Sequence, residues 1–382
     1  MKKWAWLVMC AAALPCVDAQ QRTAGERPVT SREIEQLRRE LSRETRSSVE
    51  GIFEYHTETG DINNRLDYLR YGAGVNYRTD PTATFHFRGV VTEYTPLGDF
   101  RERGGNATVG LSKTLTEAVV VRAEVGATRF STDASTVNAM GSCEYAPSAN
   151  GSFFFRASRT NVEETLVSAT GVRPQQGPRS QELVGLVMDN RVTGGGRAVL
   201  LERWDVFVEG GLGTRTGQNV ESNPFRHATG GLGYSLIAAP PEETVSLLRA
   251  SFAVDYFGFD KDLFGFTGVS RAGGRVPGFD GGPVTWAPGR RGTGGYFSPD
   301  RFVSQTGRLE VKGQTSRWFE YSVSGFAGAQ EYTGTPWRAV YGGAGTGVIH
   351  LNDRFSLPIS YLYDNIGPFR QQTLLVRLLA RI

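Results

Sequence analysis

Three of the 382 residues are cysteine, and two of these, Cys10 and Cys16, fall in the first stretch of the chain. Cys143 is left with no internal partner, so no disulfide framework stabilises the remainder. A single thiol with no histidine close to it in sequence is no activated nucleophile, and it reads as a small strand residue. Long apolar runs are scarce too. Residues 4–14 form one, but it is shorter than the roughly 20 residues a helix needs to span a bilayer. No later run is longer, so membrane-spanning helices are excluded. Nor is there an excess of one charge: 42 Lys and Arg against 39 Asp and Glu give a formal net charge of +3. That balance argues against a nucleic-acid binder, which concentrates basic residues on one face.

Catalytic and metal-binding patterns are missing as well. His56, His86, His227 and His350 are scattered, without the i, i+4 spacing of a zinc helix. No Gly-x-Ser-x-Gly elbow occurs. Gly342-Gly343-Ala344-Gly345-Thr346-Gly347 has the outline of a dinucleotide loop, yet it follows Tyr341 in a strand pattern and no helix pattern comes after it. Glycines there instead permit close packing against a wall. The acidic pairs Glu163-Glu164 and Asp260/Asp262 read as solvated loop carboxylates. The expectation is a protein that is not an enzyme and uses no cofactor or metal.

What is present is glycine (48 residues), an 11% aromatic content and a modest 39% of hydrophobic residues. At the start, Lys2 and Lys3 precede the apolar run, and Val17-Asp18-Ala19 offers a cleavage site, so residues 1–19 read as a signal peptide. Thr30 with Glu33 three residues later forms a capping box. Ile34, Leu37 and Leu41 then share one stripe of a helix, too narrow to fold alone, with Arg38, Arg39, Glu40 and Glu44 elsewhere. Residues 20–47 are therefore expected to be a periplasmic leader with one short helix, either docked on a surface as a plug or solvated.

From Ser48 the period becomes two. Phe85, Phe87 and Val91 alternate with His86 and Arg88; Val121, Ala123 and Val125 alternate with Arg122 and Glu124. Leu248, Ala250, Phe252, Val254 and Tyr256 oppose Arg249, Ser251 and Asp255. Leu309 and Val311 oppose Arg308 and Glu310, and Phe319 and Tyr321 oppose Glu320. One face suits lipid and the other carries charge, as in a barrel with a wet lumen, although a sandwich shares the alternation. Tight turn signals (79–81, 147–151, 239–242, 350–353) alternate with long connections (167–179, 259–301). Counting in this way gives an all-β chain of about 16 strands. The signal peptide, this strand count and the family resemblance carried by the stretch 256–302 together predict residues 48–382 as a transmembrane antiparallel β-barrel with both ends periplasmic. A bulge is expected at Pro358, where the missing N–H costs a ladder bond.

The stretch Tyr256-Phe257-Gly258-Phe259-Asp260-Lys261-Asp262-Leu263, with Gly294-Gly295-Tyr296-Phe297-Ser298-Pro299-Asp300-Arg301-Phe302 after it, resembles the C-terminal domain of the bacterial cellulose synthase operon protein C. The likeness runs in order from about Val49 to the C-terminus, with Gly217-Gln218-Asn219-Val220 as a weaker second match. The resemblance implies an outer-membrane barrel that exports a glucan, probed by a polysaccharide chain inside and outer-membrane lipids outside. A periplasmic scaffold or an inner-membrane glycan synthase is the implied protein partner. The family's usual array of tetratricopeptide repeats has no counterpart before Ser48. On this reading Arg88, Arg122, Glu124, Arg249, Asp255, Arg308, Glu310 and Glu320 line the pore. Their mixed signs suit a neutral hydrated polymer better than an anionic one.

The connection 259–301 is long enough to have a function of its own. It is expected to gate the mouth, with Asp260 and Lys261 at one foot. Gly294 and Gly295 would set a sharp re-entry before Tyr296, Phe297, Ser298 and Pro299 at the other. Trp286, Tyr296 and Phe297 offer faces for stacking on sugar or for loop packing. An exposed ion pair at the foot would contribute only about 0–1 kcal/mol, so aromatic burial must do most of the anchoring. A general diffusion porin and a non-transporting structural or adhesion barrel are the alternatives.

Overall fold

The computed structural model describes residues 46–59, 66–94, 102–148, 150–171, 173, 182–201, 203–241, 243–261 and 295–382. The expected signal peptide, the expected helix over 30–44, and the loop residues Trp286 and Gly294 lie outside the described residues. Among the described residues the chain forms sixteen strands and one short helix. The first eight strands are β1 (Ser48–Thr59), β2 (Asp67–Asp80), β3 (Ala83–Tyr94), β4 (Glu102–Thr116), β5 (Val119–Phe130), β6 (Ser135–Ser148), β7 (Gly151–Asn161) and β8 (Gly185–Leu201). Then follow β9 (Trp204–Gln218), β10 (Val220–Ala238), β11 (Leu247–Phe259) and β12 (Phe302–Ser316). The last four are β13 (Phe319–Tyr332), β14 (Arg338–His350), β15 (Phe355–Asp364) and β16 (Arg370–Arg381). The helix, α1 (Leu166–Thr170), lies in the β7–β8 connection.

Every strand pairs antiparallel with its sequence neighbours, and β1 closes the ring on β16 in a continuous register from Ser48↔Arg381 to Thr59↔Arg370. Closure matters physically. It leaves no row of unpaired N–H and C=O groups to face hydrocarbon, which is why barrels can cross a membrane where open sheets cannot. Strand alternation then assigns the two faces. Phe53, Tyr71, Phe87, Val125, Phe155, Val208, Leu212 and Phe252 project from one face and are exposed. The opposite face carries Glu50, Arg70, Arg88, Asp205 and Arg215, which pair with one another or with the β7–β8 connection.

Short connections gather at the rim that bears Ser48 and Arg381, here the terminal rim: residues 81–82, 117–118 and 317–318 join their strands directly. The tight turns expected from sequence all lie there. Most register irregularities also fall near it, as at Arg78/Asp80, Thr114/Thr116 and Gln314/Ser316. Bulges tend to collect at the rims of barrels. The long connections, 162–184 and 260–301 among them, share the other rim. Tight turns interrupt that pattern: β5 and β6 are joined on the long-loop rim by residues 131–134, and β9 and β10 through Asn219 alone, whose φ is +52°.

One expectation is corrected. Pro358 makes no bulge. Val348↔Pro358 pairs within an unbroken β14–β15 register, and the β15–β16 ladder keeps one register from Ser356↔Leu379 to Ile359↔Val376. Proline simply omits a bond there without shifting the strand.

Candidate functional site: the lumen and its long-loop mouth

The β7–β8 connection crosses the inside of the barrel. Glu163 accepts two hydrogen bonds from Arg70 Nη2 in β2, both 2.8 Å, and one from the Tyr94 hydroxyl in β3 at 3.2 Å. Its neighbour Glu164 accepts from Arg215 Nη2 in β9 at 2.7 Å and from the backbone N–H of Phe297 at 2.8 Å. β2 and β9 stand seven strands apart one way round the ring and nine the other. Two adjacent residues can touch both walls only from inside, so the face bearing Arg70 and Arg215 is the lumen face. The chain here is a strap across the mouth.

This overturns the reading of Glu163-Glu164 as solvated carboxylates. A buried carboxylate is tolerated only where charged and hydrogen-bonding partners replace water, and both glutamates have them. Arg70 is shared with Glu54 at 3.1 Å, and its guanidinium lies 4.8 Å from the Tyr68 ring centroid. Arg215, 1% exposed, reaches Asp189 at 3.5 Å and sits between Phe259 (5.2 Å) and Tyr296 (4.6 Å).

The strap has a fold of its own. Thr165 caps α1 by accepting from Ser168 N at 3.1 Å, while the Ser168 hydroxyl accepts from Thr165 N at 3.0 Å. The capping box satisfies two of the N–H groups at the helix start locally, which favours burial of this five-residue helix. Leu166 and Ala169 pack with Leu66, Tyr68, Tyr94, Phe130 and Leu186. At Gly185 a Cβ would come 2.1 Å from the Val167 carbonyl oxygen, so only glycine lets the strap lie this close to the wall.

The end of the β11–β12 connection closes over the remaining sector. Gly295 has φ +66°, the left-handed conformation that favours glycine, and from there the chain turns inward. Tyr296 and Ser298 are fully buried. Phe297 makes edge contacts with Phe257, Phe302, Tyr332 and Phe369 at centroid distances of 5.9, 6.1, 5.1 and 6.5 Å. Pro299 O accepts from Phe259 N at 3.0 Å. Tyr296 therefore serves packing, with no face left for a sugar. Its burial raises the hydroxyl above the ordinary phenol pKa, against the opposing pull of Arg215. At the other foot Lys261 pairs with Glu221, and its backbone is held by Asn223, which donates to Lys261 O at 2.8 Å and accepts from Lys261 N at 3.1 Å. Asp260 N donates to Pro224 O at 3.0 Å.

All eight residues expected to line a pore lie on the lumen face. Arg88 pairs with Glu50 at 2.9 Å and Arg122 with Glu144 at 2.7 Å. Arg249 donates to Asp205 at 3.0 Å and lies 3.8 Å from Glu310. Asp255 accepts from Thr229 and Ser304 at 2.8 and 2.9 Å. The Arg308 guanidinium stands 5.9 Å from the Phe326 centroid, Glu320 pairs with His350 at 2.7 Å, and Glu124 is exposed to the lumen. Sequence reasoning missed the strap and its partners Arg70, Tyr94, Asp189 and Arg215. The available signal was the acidic pair beside Thr165 and Ser168 in a connection too long for a simple turn.

A closed antiparallel ring with an apolar outer band and a charged inner wall defines a transmembrane β-barrel of the outer-membrane type. The chain belongs to the family described as the cellulose synthase operon protein C C-terminus, whose model matches residues 46–268, more than half of its length. Among solved structures, the fold is similar to one described as a bacterial polysaccharide outer membrane secretin. Identity is 10% and the TM-score 0.61, over 89% of this chain and 99% of that one. OprD of Pseudomonas aeruginosa aligns over 88% of this chain and 95% of its own, at 10% identity and a TM-score of 0.41, too loose to argue from. No curated protein sequence matches the chain.

Proposed function

We propose that this barrel passes exopolysaccharide through the outer membrane to the cell surface, and that the polymer is cellulose or a related neutral glucan. Membership of the cellulose synthase operon protein C family is the observation that carries the reading. The lumen wall supports a neutral cargo. Its arginines are matched by Glu50, Glu144, Asp205 and Glu310, so no single-sign track runs along it for an anionic chain.

In this reading residues 1–19 are removed as a signal peptide, residues 20–47 form a periplasmic leader, and residues 48–382 are the barrel. The terminal rim then faces the periplasm and a glycan synthase or scaffold beyond it, while the long-loop rim faces outside. The strap and Gly295–Pro299 act as a gate that shifts when polymer arrives, with Asp260 and Lys261 as the fixed foot. The protein transports and does no covalent chemistry.

The test is removal of the chain from a cellulose-secreting host, with glucanase-released sugar measured at the surface and in the periplasm. Surface polymer should fall and periplasmic polymer rise; unchanged surface polymer sinks the reading. One observation favours a second reading, a structural barrel without transport: the strap is packed and hydrogen-bonded like a core. Conductance in a planar bilayer under polymer or voltage load separates the two, since a structural barrel stays closed throughout.

A further inference from the structure

Phe326 is a buried lumen ring beside Arg308; of the other lumen-facing aromatic rings most belong to the packed mouth, but Phe154 and Phe207 do not. They lie below it toward the terminal rim, half-buried, and neither stacks on another ring among the described residues. Each stands directly across a strand pair from a glycine, Phe154 from Gly195 and Phe207 from Gly231. Each ring also occupies the space that glycine leaves empty. A Cβ on Gly195 would fall 2.8 and 2.9 Å from Cε1 and Cζ of Phe154. One on Gly231 would fall 2.5 and 2.6 Å from Cζ and Cε1 of Phe207. The rings are therefore laid along the wall over the neighbouring strand, where upright side chains would obstruct the lumen. Glycine opposite an aromatic residue stabilises a sheet by covering the bare backbone. Here the arrangement also turns one flat apolar face toward the lumen.

Polar groups flank both faces. Arg156 has its guanidinium 6.0 Å from the Phe154 centroid. Glu209 pairs across Gly195 from Phe154, and Arg197 pairs across from Phe207. By sheet geometry the two rings stand roughly 12 Å apart, two strand spacings and two residues. A β-linked hexopyranose has this same two-sided chemistry: axial C–H groups make its ring faces apolar, and equatorial hydroxyls make its edges polar.

We propose that Phe154 and Phe207 are stacking platforms for successive parts of a β-glucan chain, with Arg156, Arg197 and Glu209 meeting its hydroxyls. This rests on the export reading and adds a located subsite to it. Two faces on one wall guide the polymer along that wall. A flat apolar contact with no fixed hydrogen-bond register lets the chain slide.

The test is calorimetric titration of the folded, detergent-solubilised protein with cellohexaose, beside surface-polymer measurements in cells. Phe154→Ala and Phe207→Ala should each weaken cellohexaose about tenfold, the loss of about 1.4 kcal/mol. Phe154→Leu, which keeps bulk but has no face, should behave like Phe154→Ala, and Phe154→Trp should bind at least as well as wild type. Phe155→Ala on the lipid face should leave binding unchanged. Heat-modifiable mobility checks that every variant is folded. Equal binding by wild type and both alanine variants overturns the platforms, as does a wild type that does not bind cellohexaose. Either result leaves the export reading standing if removal of the chain still abolishes surface polymer, so the two ideas fail separately.

Discussion

The two ends of this barrel are built from the same strands in opposite ways. At the long-loop end the lumen is filled: α1, Tyr296, Phe297 and the ion pairs of Arg70 and Arg215 bury acids and aromatics together. At the terminal end, among the described residues, the wall is lined but not filled. Arg122 and Glu144 are 41% and 38% exposed in their side chains although they are paired. The same interaction therefore does different physical work at the two ends. A pair in water is nearly neutral for stability, whereas an ion deprived of its partner inside a dry plug is strongly unfavourable.

The largest effect should come from breaking the strap. Glu164→Ala leaves Arg215 without its closest carboxylate in a fully buried setting, a loss of about 3–5 kcal/mol. We expect a higher single-channel conductance and a lower temperature for the heat-modifiable transition. Arg122→Ala, its counterpart in the wet half, should shift stability by less than about 1 kcal/mol. Equal effects from the two substitutions would erase the distinction between the ends.

Next comes the long connection. Removing residues 265–293 while keeping Phe257–Lys261 and Gly295–Phe302 should raise conductance and admit larger solutes. The increase should be smaller than that of Glu164→Ala if the strap is the main obstruction. A trimmed protein that inserts normally and conducts like the parent shows that this connection does not gate.

A smaller effect is expected at the terminal rim. Ile382 extends the lipid-facing alternation of β16 and donates its N–H to Ser47 O at 2.9 Å. Ile382→Phe should be tolerated. Ile382→Asp places a charge near the membrane surface, a penalty of about 0–1 kcal/mol in stability, and should lower outer-membrane levels. Normal levels for the aspartate variant would contradict this.

The smallest is a pH effect confined to the mouth. Because burial raises the Tyr296 pKa, the folded state keeps a proton that the unfolded state gives up near pH 10. Its contribution is thus complete below about pH 10 and falls as pH rises beyond it. Conductance should be flat around neutrality and rise at strongly alkaline pH. Tyr296→Phe should reduce that rise.

Sequence by itself determined the two faces of each strand, and with the strand count and the family resemblance it pointed to a barrel. Period-two alternation places Arg88, Arg249 and Glu320 on one face and Phe87, Phe252 and Phe319 on the other whatever lies beyond each strand, because side-chain direction is local to the backbone. Turn lengths determined the strand number and which connections share a rim. Even the inner position of the eight lumen residues followed from register, since a slip of one residue would expose every charge to lipid. Tertiary structure alone decided the fate of Glu163 and Glu164. No local pattern distinguishes a solvated acidic pair from a buried one; the difference is Arg70 and Arg215, brought from opposite walls by ring closure. It likewise decided that Tyr296 packs inward and that Phe154 and Phe207 lie over glycines. Those relations join residues tens of positions apart, and only pairing between strands creates them.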